Sequence, residues 1–481
     1  MRRGTGCGGQ RWRNALFVGA PQAAIRRVRD AFRGLRGSCK VSRSSGQIAH
    51  HLKIGNRVRV MKTNKNSTDF SALKHLGPGL ITGAADDDPS GIATYSQAGA
   101  QFGFSMLWTV VFTYPLMCGI QMVSARLGCL SGRGLAANIK AQYPRPVLYS
   151  IVGLLMLANT INIAADIAAM GEALRLLLGG SAHLYSVGFG VLCLVLQVFI
   201  SYQKYVRYLK WLTLALLAYV ALVFSIQVPW IEVAARIVWP QMAITRESII
   251  MIVAVFGTTI SPYLFFWQAA QEMEDFRAHH EAGHPITPSM AQGHLRRIKW
   301  DTYIGMGFSN LVAFFIILSA AATLHQAGIT DIQTSAQAAE ALRPLAGDFA
   351  FLLFSLGIIG TGMLAVPVLA GSAAYAVVES FEWRSGLDKK LHEAKEFYAI
   401  IAMATVGGVL LNFTSIDPIK ALFWSAVING VIALPIMVVM MLLGSNARVM
   451  GRFTIGRRLR WLGWLATTVM GAAVVAMFAT L

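Results

Sequence analysis

Residues Gly77 to Gly91 read GPGLITGAADDDPSG, an apolar run that starts as a helix and then breaks into three aspartates, a proline, a serine and a glycine. Pro89 has no amide for a helix ladder and disfavours helix at Asp88, while Gly91 loosens the chain beyond it. Apolar sequence resumes at Ile92. The stretch therefore reads as a membrane helix interrupted by carboxylate, and ionisable groups at bilayer depth mark a substrate or ion path. The plainer alternative is a surface loop between two short helices.

The surroundings favour the membrane. The 481-residue chain is 55% hydrophobic, and its mean hydropathy of +0.54 is too high for a soluble protein of this length. The net charge of +19 invites a nucleic-acid reading, but 13 of those charges fall in residues 1–60, where 14 Lys and Arg accompany only Asp30. No nucleic-acid partner is expected. Residues 1–70 read as a basic, disordered cytoplasmic tail: a tether to anionic lipid, a transit peptide, or sequence upstream of a native start at Met61, which opens MKTNKNSTDF. The last of these is preferred. Cys7, Cys39, Cys118, Cys129 and Cys193 have no paired spacing, so neither disulfides nor thiolate metal sites are expected.

Runs of bilayer length fall near 73–101 (broken), 104–127, 147–178, 184–202, 208–228, 248–273 (broken), 300–323, 348–379, 397–414, 418–443 and 459–481. These eleven spans make residues 71–481 a transporter domain. With the N-terminus inside, the cytoplasmic connections hold 20 Lys and Arg and the opposite ones five. The positive-inside rule then puts the C-terminus outside.

The sixth span breaks at Gly257 to Tyr263, GTTISPY. Pro262 removes a donor there, and Gly257, Thr258 and Thr259 tolerate unwinding. The first and sixth spans each open a five-helix half, and gaps in corresponding positions point to an inverted-repeat transporter with its site between them. The repeats are 73–228 and 248–443, with 459–481 an added helix. In the third span Asn159, Asn162 and Asp166 share one helix face, which should look inward for function or for helix packing. Ser425 and Asn429 form a similar pair in the tenth. His279, His280, His284 and His294 cluster in the 276–299 connection, where a solvated loop is the better reading than a metal site.

At the first gap Asp88 offers carboxylate and unwinding frees the carbonyl of Ala85; at the second, the carbonyls of Gly257 and Thr258 lose their helical partners. These are hard oxygen ligands suited to Mg2+, Ca2+ or Mn2+. Neither gap contains Cys, Met or His. Asp86 and Asp87 are expected to attract cations or to cap the broken helix. No motif pairs a nucleophile with a base, so the chain does not read as an enzyme.

At these residues the chain resembles the Nramp family of proton-coupled Mn2+ and Fe2+ transporters. The likeness runs from about Lys74 to the end. It is carried by GPGLITGAADDDPSG, RLGCLSGRGLAANI (Arg126 to Ile139), the acid of ADIAAMGEAL, AGITDIQTSAQAAEALRPLAG (Ala327 to Gly347) and NGVIALPI. It implies an all-α, LeuT-like membrane fold of eleven or twelve helices, of which the runs above count eleven, with helices 1 and 6 broken.

The departures from the family pattern bear on the ion. The family's first gap reads Asp-Pro-Gly-Asn; here Asp88 remains and Gly91 stands where the asparagine amide is expected. Against the family's Met-Pro-His-Asn stand Ile260, Ser261, Pro262 and Tyr263, so thioether and imidazole are missing. Asp166 matches the proton-relay aspartate, but the acid expected three positions on is Ala169, and Lys389 and Lys390 are the nearest counterparts of an arginine pair. The pattern looks like the Nramp-related Mg2+ transporters: a roomier, harder site for a partly hydrated ion, with weak or absent proton coupling. The metal residues expected are Asp88, Ala85, Gly257 and Thr258; Gly91, Ile260 and Pro262 line the site, and Asp166, Asn162 and Asp87 serve gating or proton linkage. The partners expected are a transported Mg2+ or Mn2+ and the lipid bilayer, with no further cofactor and no obligatory protein partner. A proton-coupled Mn2+/Fe2+ symporter and a LeuT-fold transporter of small organic solutes are the alternatives. The expected location is a bacterial inner membrane.

Overall fold

The computed structural model describes residues 78–200, 215–279, 288–384, 386–387, 389–414 and 417–480. The basic tail with Met61, Cys7 and Cys39 lies outside them. So do residues 73–77 of the first span, 208–214 of the fifth, the basic connection with Lys204, Arg207 and Lys210, and His280 and His284.

The regular elements among the described residues are all helical. The first span is two short helices, α1 (Pro78–Asp86) and α2 (Pro89–Phe102), and α3 (Leu107–Ser131) is the second. The third and fourth are α4 (Arg145–Leu178) and α5 (Ala182–Phe199), and the sixth is α6 (Arg246–Thr259) followed by α7 (Pro262–His279). The seventh to eleventh are α8 (Pro288–Ala320), α9 (Ala350–Phe381), α10 (Lys395–Leu411), α11 (Pro418–Ser445) and α12 (Arg457–Thr480). Eight helical stretches among the described residues are long and apolar enough to cross a bilayer. The rest of the expected eleven are the short α1, the 17-residue α10 and the fifth span.

Local chemistry sets the helix ends. Asp417 caps α11 by accepting the amides of Ile419 and Lys420, with Pro418 in the first turn, where its missing N–H costs nothing. Thr245 and Ser248 form a reciprocal capping box at the start of α6. Gly179, at φ 70°, closes α4.

The helices pack in pairs that bring the two gaps together: α4 on α9, α1 on α8, α6 on α11, and α7 on α3. Two glycines make this possible. A Cβ on Gly83 would run into the backbone of Gly305 in α8, and one on Gly257 would run into Ala426 O and Gly430 in α11. Without a driving force from apolar burial in lipid, such close backbone approach supplies much of helix association.

Candidate functional site

The two breaks fall where the prolines demand them. The first helix stops at Asp86 and resumes at Pro89. Asp88 sits between in an extended conformation (φ −73°, ψ 169°) and caps α2, its Oδ1 accepting the Gly91 amide at 2.8 Å and the Ser90 hydroxyl at 2.6 Å. The expected ligand is thus itself the cap, a role the sequence suggested for Asp86 or Asp87. Those two instead end α1, and both approach the Ser309 hydroxyl of α8: Asp86 Oδ2 at 2.6 Å and Asp87 Oδ1 at 3.0 Å. One hydroxyl proton serves two carboxylates there.

In the sixth span the helix ends at Thr259 and restarts at Pro262. The Ile260 amide still bonds to Phe256 O at 2.8 Å. The carbonyls of Gly257 and Thr258 have lost their amide partners, as expected, but are not bare. Each accepts the Ser261 hydroxyl at 2.9 Å. Ala85 O, at the end of α1, accepts the Tyr263 hydroxyl at 3.0 Å, and the same hydroxyl lies 3.3 Å from Asp88 Oδ2. Ile260 is buried in the apolar core, and Pro262 opens α7.

Gly91 does not leave open room. The point where its Cβ would lie is 3.1 Å from Thr258 Oγ1 and 3.3 Å from the Tyr95 ring, so these side chains fill the place expected to be roomier.

The polar stripe of the third span divides. Asp166 is fully buried within electrostatic reach of Asp88 and of the Ser90 backbone amide, and no side chain donates to its carboxylate in good geometry. Asn159 donates to Leu369 O and Ser372 Oγ of α9, both at 2.8 Å. Asn162 pairs with Asn429 of α11. Both asparagines join helices to one another, and Asp166 remains as the stripe's contribution near the gap. Lys389 and Lys390 are exposed, and His294 packs edge-on against Phe276.

The charged side chains near the first gap are of one sign, although the N-terminal ends of α2 and α7 bring positive helix-dipole ends to the same breaks. Asp86, Asp87, Asp88 and Asp166 are each at most 2% exposed, and among the described residues none forms an ion pair with Lys or Arg. The C-terminal ends of α1 and α6 add the negative ends of two helix dipoles. Buried carboxylates are tolerated only when paired or bound to a cation or proton. Asp86 Oδ1 is buried without a partner, and the Asp166 carboxylate and Thr258 Oγ1 are buried nearby with only loose contacts, to the Ser90 amide and the Tyr95 hydroxyl, an acceptor-rich lining suited to a cation. Among the described residues no three His, Cys, Asp or Glu side chains form a metal-holding group. Backbone carbonyls and retained water must therefore complete any shell.

Sequence reasoning missed Ser90, Ser261, Tyr263 and Ser309. The first three flank the two prolines, where a side chain near a half-helix start meets the gap, and that position was the available signal. Ser309 lies inside an apolar helix and carries none.

The sequence model of the natural resistance-associated macrophage protein-like family, Nramp, matches residues 79–480. A divalent metal cation transporter, MntH, of Klebsiella pneumoniae subsp. pneumoniae is 27% identical over 422 residues, covering 86% of this chain and 95% of that protein. A manganese transporter of Eremococcus coleocola, solved with an aromatic bis-isothiourea compound, superposes with a TM-score of 0.68 at 19% identity over 87% of this chain and 90% of that one. Mhp1, a nucleobase-cation-symport-1 transporter in a closed conformation, superposes at 0.52 with 14% identity over 84% and 90%. The two solved structures share the fold, which is all-α and LeuT-like. With a family match from one gap to the last helix, the chain belongs to the Nramp family and is an integral membrane transporter of divalent metal cations rather than an enzyme.

Proposed function

We propose that this transporter carries a hard divalent cation, Mg2+ or Mn2+, into the cytoplasm by alternating access, with weak or absent coupling to protons. The observation that carries this reading is the surroundings of Asp88: a buried carboxylate between two broken helices, bonded to the Ser90 and Tyr263 hydroxyls and the Gly91 amide, with no Met or His in either gap sequence. Mg2+ gives up water reluctantly and is held by few carboxylates with waters kept. Asp88 and the Ala85 carbonyl are the first ligands, the carbonyls of Gly257 and Thr258 join once Ser261 turns away, and Asp166 sets the local field. Residues 73–228 and 248–443 act as the two repeats, with 459–481 outside them.

The orientation follows from the basic residues, with the N-terminus inside a bacterial inner membrane. A cavity of about 220 Å3, lined by Gln97, Glu247, Asp331, Lys420 and Trp424 among others, then lies on the outer side and offers two carboxylates to an arriving cation. A proton-coupled Mn2+ or Fe2+ symporter is the second reading; the manganese transporter of Eremococcus coleocola favours its Mn2+ cargo alone.

Uptake of Mg2+, Mn2+ and Fe2+ into proteoliposomes, with the internal pH recorded, separates the two. Mg2+ or Mn2+ entry without matching acidification is expected, and acidification locked to entry would overturn weak coupling. Asp88→Asn is expected to abolish uptake; retained Mg2+ and Mn2+ flux would remove the site assignment.

A further inference from the structure

Tyr263 is fully buried, and its hydroxyl meets two oxygens of the first gap at once, Ala85 O at 3.0 Å and Asp88 Oδ2 at 3.3 Å. A phenol has one proton, so the two acceptors share it. Asp88 Oδ1 is already occupied by the Ser90 hydroxyl and the Gly91 amide. The two oxygens read as first ligands, Asp88 Oδ2 and Ala85 O, are therefore the ones that Tyr263 holds.

The positions of these residues give the contact a mechanical consequence. Ala85 ends α1 and Tyr263 begins α7. In the proposed orientation these are the cytoplasmic halves of the two broken spans, so one hydroxyl ties them together directly below the site. A divalent cation on Ala85 O and Asp88 Oδ2 attracts both oxygens more strongly than a neutral phenol does.

We infer that Tyr263 is a cation-displaced latch: its hydroxyl holds α1 to α7 through Ala85 and Asp88 while the site is empty, and cation binding at those oxygens breaks the tie. The inner half-helix α1 is then free to swing only when cargo is aboard. This inference rests on the reading of Asp88 and Ala85 as ligands. It assigns Tyr263 a positioning role and no coordination.

The sign of one affinity change tests it. In the full-length protein, Tyr263→Phe removes a single oxygen, and Mg2+ and Mn2+ binding is measured by titration calorimetry. With the competing bond gone, binding tightens about tenfold, and KM for uptake falls more than kcat. Unchanged affinity overturns the latch, and weaker affinity overturns it by making the phenol oxygen a ligand.

A second measurement reads the tie itself. Thr82 is buried in α1. Thr82→Cys, in a background with Cys7 and Cys39 replaced by serine and Cys118, Cys129 and Cys193 buried, is probed with a membrane-impermeant thiol reagent from the cytoplasmic face. Labelling rises on adding Mg2+ when Tyr263 is present and is high without Mg2+ in Tyr263→Phe. Labelling that still needs Mg2+ in Tyr263→Phe overturns the latch. Failure of the underlying site is distinct: Asp88→Asn would then bind Mg2+ as the unaltered protein does.

Discussion

Asn162 and Asn429 face each other between α4 and α11 and exchange both amide hydrogen bonds, Nδ2 to Oδ1 at 2.9 Å in one direction and 3.2 Å in the other. Each amide satisfies the other where no water reaches, so the pair rivets two helices on either side of the gap. Asn162→Leu leaves the Asn429 amide buried and unpaired, at a cost of about 1–2 kcal/mol. Joining Asn162→Leu with Asn429→Leu recovers most of it. Thermal unfolding of the single and double variants in detergent checks this. If Asn162 served proton linkage instead, the pH dependence of uptake would move and the double variant would restore nothing.

A second buried polar contact lies lower on the same scaffold. Arg297 of α8 meets Glu272 of α7 at 2.5 Å and Asp275 at 2.8 Å, and the Glu272 side chain is fully enclosed while that of Arg297 is 26% exposed. Removing the cation leaves an enclosed carboxylate with no compensating charge, which costs several times what a surface pair does. Arg297→Met is therefore expected to destabilise by about 3 kcal/mol, and Arg297→Met with Glu272→Leu by much less. The melting temperatures of the three proteins decide the point.

The sequence carried the two breaks, their pairing and the cation chemistry because each depends on short-range rules. A proline after Asp88 stops a helix whatever surrounds it, and a carboxylate in an apolar run needs a cation, a proton or a paired charge wherever it lies. What it did not carry depends on which helices touch. Ser309 meets Asp86 and Asp87 only because α8 packs on α1, and the fate of Asn162 is decided by α11, some 267 positions away. The role of Tyr263 was hidden for a related reason. A tyrosine after a proline reads as bulk until the opposite gap is placed within hydrogen-bond reach of it. The room expected beside Gly91 failed in part for the same cause, since Thr258 comes from the opposite gap, whose approach no local rule specifies, whereas Tyr95 sits one turn on in α2, where helical period alone places it.

Close backbone contact at Gly257 gives a prediction about motion. An added methyl there would meet Ala426 O and Gly430, and overpacking of this kind costs about 1–3 kcal/mol. Gly257→Ala is expected to force α6 away from α11, displacing the Gly257 and Thr258 carbonyls from the gap. Uptake should fall at least tenfold while the protein remains folded. Gly430→Ala, whose Cβ would sit 2.8 Å from Val253 O on the same interface, should act in the same direction with a smaller effect. Normal uptake by Gly257→Ala would show that the approach of α6 to α11 has no part in transport.

The buried acids themselves make cation removal measurable as stability. A cation that binds the folded protein alone stabilises it by RT ln(1 + [L]/Kd), about 2.7 kcal/mol at a concentration one hundred times Kd. Mg2+ or Mn2+ should therefore raise the melting temperature of the purified protein, and chelation should reverse the rise. The three adjacent aspartates separate the ligand from its neighbours. Asp88→Asn keeps an oxygen for the cap of α2 but loses the charge beside Ala85 O, so the shift should vanish. Asp87→Asn retains its hydrogen bond to Ser309 and leaves Asp86 as the charged neighbour; the shift should persist but need more cation, because one negative charge near the site is gone. An equal loss in both variants would assign the cation to the whole aspartate run, and a shift that survives in Asp88→Asn would move the site away from the first gap.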